Sequence, residues 1–436
     1  MPASPADSAL YRGLFSDAET AALFTDSAEI RAMLLVEGTL ARVQGRLGLI
    51  PETAAAFIDR SSREVQIDPA ALAGETGANG VPVPALVTAF RKAMQAPDHA
   101  QYLHWGATSQ DIMETAQNLR LRRVLAIWDG RLQAVARALG QLARTHADLP
   151  MAARTYGQAA TPTSFGAVVA GWGHPMLRHR ERLTALAPQL ATVSLGGAAG
   201  TLSAMGAEGP AVRAALAEAL ELADPGHSWH AERDRTGAFA GWMAGLTATL
   251  GKMGEDLILM VQSGVDEIRI AGAGGSSTMP QKQNPVGPSV LVALARQCGA
   301  LAAVVQGAGL HRQQRDGAAW FAEWLSLPQL CILTGRALAL ALDLAGRITP
   351  QPEAMARNLD DGSGLIHAEA LSFALARNLP RPEAQARIKA LCAAARPGGP
   401  SLQALAAAAF PGLGLSAADL GTAPDEARAF AGAAGA

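Results

Sequence analysis

Cysteine is scarce in these 436 residues: Cys298, Cys331 and Cys392 are the only three, far apart and odd in number. That excludes a disulfide framework and a paired set of zinc ligands, and it fits a reducing cytoplasm. Neither sign of charge is in excess, with 36 Lys+Arg against 38 Asp+Glu and a formal net charge of −2. A general nucleic-acid binder would carry a basic surplus to neutralise phosphates. Aromatic residues make up 5%, and β-branched runs with two-residue alternation are hard to find, so nothing signals a sheet-based core. No stretch reaches the roughly 18 uninterrupted apolar residues of a membrane span. Even Val290–Leu310 is broken by Arg296, Gln297 and Gln306. The opening MPASPADSALYRG has no basic n-region and no apolar h-region, so no signal peptide is expected. The expectation is a soluble, cytoplasmic protein that binds neither nucleic acid nor membrane.

What is present is apolar and helical. Hydrophobic residues make up 49%, enough for a sizeable core, and the abundance of Ala and Leu favours helix. The stronger signal is periodicity. Leu121, Leu125, Trp128, Leu132, Val135, Leu139 and Leu142 follow a four-three alternation, as do Phe239, Met243, Leu246, Leu250, Met253, Leu257 and Met260. A third series is Leu291, Leu294, Cys298, Leu301, Val305 and Ala308. Such spacing lays one apolar stripe along a helix that packs nearly parallel to its neighbours. No proline falls between Asp111 and Leu149 or between Pro225 and Met279, leaving room for helices of about 30 residues, roughly 45 Å long. Another amphipathic helix starts from an N-cap at Ser27 and runs through Ile30, Met33, Leu34, Val43 and Leu47. Breaker-rich stretches at Gly74–Pro84 and Ile348–Met355 divide the chain. The fold expected is all-α, with segments 1–110 and 351–436 flanking a central bundle of long helices at 111–350.

Four segments interrupt the pattern. HWGATSQDIMET (His104–Thr115) places Thr108, Ser109 and Asp111 where a long helix begins. It reads either as a cap with a helix-favouring acid or as an anion site built from backbone N–H groups and hydroxyls. ARTYGQAATPTSFG (Ala153–Gly166) reads by default as a plain connection, with Pro162 opening the next helix. LGGAAGTLSAMG (Leu195–Gly206) is glycine-rich, but no strand precedes it and the order matches no phosphate loop, so a tight turn is indicated. AGAGGSSTMPQKQNP (Ala271–Pro285) is a long polar loop between two heptad helices, with glycines to open it and Lys282 as a cation. A loop of this length in a bundle is often functional. His227 and His230 stand three apart beside Trp229 with no third ligand evident, so no metal site is expected. Arg233 and Arg315 either line helix surfaces or face an acidic ligand.

GSSTMPQKQNP (Gly275–Pro285) resembles the signature of the fumarase/aspartase superfamily, and HWGATSQD and ARTYGQAATPTSFG resemble its first and second conserved regions. The resemblance implies a three-domain all-α subunit whose long antiparallel helices form the core of a homotetramer, with each active site shared among three subunits. Within the superfamily WHAERDR (Trp229–Arg235), GAAWFAEWLSLPQL (Gly317–Leu330) and NLDDGSGLIHAEAL (Asn358–Leu371) are similar to a bacterial cycloisomerase branch. Adenylosuccinate lyases normally carry a histidine where this chain has Tyr156, which favours that branch.

The branch implies lactonisation of a diene tricarboxylate from protocatechuate breakdown. One carboxylate adds across a double bond and the carbon α to another takes up a proton. By resemblance Ser276 is the proton-transferring group, with Lys282 the nearby cation, and Thr108, Ser109 and Asn284 are donors to the carboxylate that gathers charge. Arg315 and Arg233 would grip other carboxylates. Gln158, Ser277 and Met279 complete the binding surface. Tyr156 would hydrogen-bond substrate, and His104 would orient a carboxylate or assist proton transfer. Nucleophile and electron sink both belong to the substrate, so neither metal nor organic cofactor is expected. Three departures stand out. Ser289 replaces a common glutamate, Gln313 and Gln314 replace the first two residues of an HER triplet, and Gln281 and Gln283 replace frequent His and Arg. Two other readings stay open: a lyase releasing fumarate from a succinylated substrate, and a non-catalytic helical protein.

Overall fold

A computed structural model of the chain describes residues 4–272, 274–275, 278–279, 282–413 and 419–436. The elements that position the site are helices α1 (Asp26–Arg46), α2 (Glu52–Glu64), α3 (Val83–Met94), α4 (Ser109–Thr145), α5 (Phe165–Leu190), α6 (Asp234–Met260), α7 (Val286–Gly307), α8 (Gly317–Ala345) and α9 (Pro352–Leu359). Strands β1 (Pro150–Thr155) and β2 (Gln158–Ser164) precede α5, while β3 (Ile268–Ile270) pairs with β4 (Ile348–Pro350). The all-α reading therefore holds, with two small two-stranded sheets added.

The heptad stripes are core. Every member of the second series is buried, as are all but Leu142 of the first and all but Leu301 of the third. Helix α4, at 37 residues, runs over the span free of proline. The first amphipathic helix begins earlier than the expected N-cap at Ser27: Thr25 caps it, its hydroxyl accepting the Ala28 N–H at 3.2 Å. Helices α1 and α2 pack closely because Gly38 and Gly45 lack side chains there. A Cβ on Gly38 would lie 2.0 Å from the Ser62 hydroxyl oxygen, and one on Gly45 would lie 2.3 Å from the Ala55 methyl.

The connection expected at Ala153–Gly166 is instead an antiparallel hairpin. Pro162 does not open a helix; it lies in β2 opposite Ala152, and α5 starts at Phe165. Proline is tolerated there because a two-stranded ribbon has only edges, and the missing N–H breaks no interior ladder.

By compactness the chain forms two units. The first comprises 1–130, 179–248 and 294–337, and the second 131–178, 249–293 and 338–436. Each of the five long helices α4 to α8 contributes residues to both units. The first unit has its own core around Leu34, Leu40, Leu86, Phe90, Ile112 and Val212. The second includes a small C-terminal core around Leu371, Ala384, Ile388 and Leu402. By length and composition α7 and α8 could each cross a bilayer. In α8, 61% of the apolar window is buried in the fold, against 39% in α7.

Candidate active site

The motif residues fall into two groups, one in each unit. In the first unit the start of α4 is organised by Asp111, which is fully buried. One carboxylate oxygen accepts the backbone N–H of Gly196 at 2.8 Å and faces His230 Nε2 at 2.7 Å. The other accepts the N–H groups of Gly197 and Thr108, both at 3.0 Å. The glycine-rich segment is thus a tight turn whose N–H groups cradle a protein carboxylate rather than a phosphate. Gly197 has φ +69°, and a Cβ on Gly196 would meet the Ser228 hydroxyl oxygen at 2.5 Å, so glycine is required at both. The hydroxyls of Thr108 and Ser109, half-buried beside this cradle, have no protein partner among the described residues.

Behind this face lies a buried ionic network. Gln110 donates its amide to Glu114 and to the His230 carbonyl, each at 2.9 Å. That leaves its oxygen to accept Nε of Arg315 at 2.7 Å. Arg315 itself is exposed, so its outer guanidinium edge faces solvent. Arg233 does not fill the expected carboxylate-gripping role. It is buried and donates to Glu114 at 2.6 Å and, through Nε, to Glu323 at 3.0 Å. Burial opposes its charge, but the two carboxylates outweigh that and push its pKa well above the ordinary value. Burial is also the main reason that the Glu114 carboxyl lies above its usual range, although Arg233 pulls the other way. Arg233 therefore holds protein carboxylates together in this unit. His227 pairs with Glu232 at 3.0 Å on the surface, while His230 is sealed against Asp111. A separate cavity of about 570 Å³, with Met33, Trp320 and Trp324 among its walls and Arg120 on one side, contains none of the expected site residues.

His104 is the remaining site residue here. Its Nδ1 lies 2.6 Å from Glu37 of α1, a carboxylate only 1% exposed. Burial by itself lowers the imidazole pKa. The charge and hydrogen bond of Glu37, helped by Asp111 and opposed by Arg91, outweigh it, and the net shift is upward.

In the second unit Tyr156 sits at the hairpin tip, fully exposed with φ +51°, and Gln158 follows it, also exposed. The hairpin is anchored below the tip. Arg154 forms a two-pronged contact with buried Glu267 at 2.7 and 2.9 Å, and Asn358 donates to the same carboxylate at 3.1 Å. Glu267 directly precedes β3, which leads into the signature loop. That loop is closed by an antiparallel bridge between Gly274 and Asn284. Met279, Lys282 and Asn284 line a cleft of about 750 Å³ with Ile258, Arg269 and Pro285. Lys282 is exposed; its backbone N–H donates to the Met279 carbonyl at 3.0 Å, while its ammonium has no protein partner among the described residues. Ser276, Ser277 and Gln281 lie outside the described residues.

Glu37, Gln110, Asp111 as a cradle and Glu267 were missed as site-forming groups in the sequence. Glu37 carried a usable signal: a lone acid inside the apolar run Met33–Leu40, where an ionised group persists only if paired.

The chain matches the lyase family over residues 9–299. It is 40% identical over 388 residues to a 3-carboxy-cis,cis-muconate cycloisomerase of Pseudomonas aeruginosa, covering 88% of this chain and 84% of that protein. It is 37% identical over 397 residues to a nitrosuccinate lyase of Streptomyces davaonensis, covering 88% and 84%. In structure it is similar to the 3-carboxy-cis,cis-muconate lactonizing enzyme from Pseudomonas putida, with a TM-score of 0.90, 33% identity and coverage of 98% and 99%. A fumarate lyase from Mesorhizobium superposes with a TM-score of 0.88 at 32% identity, covering 96% and 98%.

Proposed function

This chain belongs to the lyase family, and we propose that within it the chain is the enzyme that lactonises 3-carboxy-cis,cis-muconate. The observation that carries the reading is likeness over nearly the whole chain to enzymes of that name, in sequence and in fold alike. The chemistry suits the groups available. A substrate carboxylate oxygen attacks a double-bond carbon, a C–O bond forms, and the π electrons pass to the carbon α to another carboxylate. That carbon then gains a proton. Negative charge peaks on the carboxylate conjugated with it, so fixed donors and cations aimed there lower the barrier.

In the first unit Thr108 and Ser109 offer hydroxyls with no partner among the described residues, and Arg315 offers a guanidinium edge suited to two-pronged capture of a carboxylate. The second unit carries the Lys282 cation and the Asn284 amide, with Met279 as apolar wall of its own cleft. Tyr156 and Gln158 supply polar groups at the hairpin tip. Ser276 is the proton-transferring group by resemblance, and Ser277 its neighbour in binding. Because nucleophile and electron sink are both in the substrate, the reaction calls for neither metal nor organic cofactor.

A homotetramer with sites shared among three subunits is part of the same proposal, with three domains at 1–110, 111–350 and 351–436. Leu259, Val286, Val304 and Leu325 on the long helices are exposed in the single chain, the kind of apolar surface that association covers. Among the described residues the three thiols are free, which fits the cytoplasm.

The test is ultraviolet absorbance of 3-carboxy-cis,cis-muconate mixed with purified protein. The reading expects loss of the conjugated-diene band and a lactone by NMR. An unchanged spectrum from folded protein overturns it, and release of fumarate from adenylosuccinate or argininosuccinate would then establish the lyase alternative.

A further inference from the structure

Glu37 is the least expected charge in the first unit. It lies in α1 between Val36 and Gly38, on a helix face that also buries Met33, Leu34 and Leu40, and it is 1% exposed. An ionised carboxylate in such a place is retained only when something compensates it. One carboxylate oxygen faces His104, 2.6 Å away, and the other is buried with no partner among the described residues. His104 also has backbone φ +64°, in the left-handed region that a non-glycine residue enters at a cost. A buried charge and a strained backbone at the same contact are unfavourable for stability and common where geometry is held for function.

The contact also settles which ring nitrogen is available. Nδ1 faces Glu37, so Nε2 is the nitrogen left for a ligand, on a side chain that keeps 19% exposure. The neighbouring histidines do not offer this combination. His230 is sealed, with Nε2 against Asp111 and Nδ1 buried, and both nitrogens of His311 are buried; among the described residues none of these three buried nitrogens has a partner. Burial followed by Arg233 lowers the pKa of His311. The charged groups acting on His104 come from three elements: Glu37 on α1, Arg91 on α3 and Asp111 on α4.

Resting on the proposed lactonisation, we infer that Glu37 is a positioning residue that holds His104 as an imidazolium with its Nε2–H presented to a substrate carboxylate. The imidazolium then acts as a charge-assisted donor to an anion. No proton leaves the pair in this role, and Glu37 acts only through His104.

Two measurements on the full-length protein test this. The first follows the His104 ring by NMR through a pH titration without substrate. The second measures affinity for propane-1,2,3-tricarboxylate, an unreactive probe, by calorimetry across the same range. In the wild type the ring is expected to titrate above the ordinary value of about 6.5, with affinity falling as pH rises through that point. Glu37→Gln is expected to bring both transitions below the ordinary value, since burial alone lowers the imidazole, and to weaken binding about tenfold at neutral pH. A wild-type ring titrating at or below the ordinary value overturns the inference, even if Glu37→Gln fails to fold. So does a Glu37→Gln protein whose affinity keeps the wild-type pH dependence, the outcome expected of a contact that only ties α1 to the loop. The probe needs no turnover, so protein that binds it with this pH dependence yet leaves 3-carboxy-cis,cis-muconate unchanged refutes the function and upholds the pair.

Discussion

The two groups of candidate site residues, one in each unit, are built on opposite principles. In the first unit the half-buried hydroxyls of Thr108 and Ser109 and the exposed Arg315 are backed by buried, partnered groups: Asp111 with three N–H groups and His230, Gln110 with three neighbours, Arg233 with two carboxylates. In the second unit the groups offered to a ligand, Tyr156, Gln158 and Lys282, are exposed, and buried Glu267 anchors the hairpin through Arg154. The contrast separates preorganisation from presentation. Substitutions in the first half should act chiefly on stability and on the geometry of binding, and those in the second chiefly on turnover.

The largest effect should come from removing a presented cation. Lys282→Ala is expected to lower kcat on 3-carboxy-cis,cis-muconate by about a thousandfold, the cost of deleting one preorganised charge-stabilising group. The melting temperature should not move, because among the described residues no protein group pairs with this ammonium. Ser276→Ala should likewise lose turnover with little change in stability. A large drop in melting temperature for either would break the comparison.

Arg233→Met tests the opposite half. Stranding Glu114 and Glu323 without their cation is expected to cost about 3–5 kcal/mol in denaturant unfolding. The same measurement on Arg154→Met sharpens the contrast inside the second unit. Glu267 would keep only the Asn358 amide, with an expected loss of about 2 kcal/mol, whereas Tyr156→Ala, a few residues along, should stay within about 0.5 kcal/mol.

The smallest effect is a pH dependence. The folded-state pKa of His104 is raised, so the Glu37–His104 pair contributes stability that is fully present below the unfolded imidazole value of about 6.5 and is lost as pH rises through the folded value. Urea unfolding from mildly acidic to mildly alkaline pH should show this loss in the wild type. Glu37→Gln should reverse its sign, because burial then favours the neutral ring.

Legibility in the sequence followed the range of the interaction. The stripe from Leu121 to Leu139 and that from Phe239 to Met260 could be read directly, since a helix repeats its environment every three to four residues and each repeat reports the same buried face. The hairpin at 150–164 could not. Its strands are short, carry a proline and lack alternation, and their pairing is a relation between residues rather than a property of either run. Likewise Arg233, Asp234 and Arg235 look alike in a row, yet only Arg233 is enclosed by two carboxylates, one more than 100 residues earlier in the chain and the other 90 later.

The amino-acid order alone was enough for the helical class, the long apolar stripes and, through three motifs in series, the family and its chemistry. Those are local or strictly patterned properties, set by propensity, periodicity and short contiguous signatures. Folding alone assigned the charges: that Asp111 fills the glycine cradle, that Arg233 is spent on Glu114 and Glu323, and that Glu37 stands behind His104. The worth of an ionisable group depends on its burial and on which opposite charge comes within hydrogen-bond distance, and only the folded chain sets either.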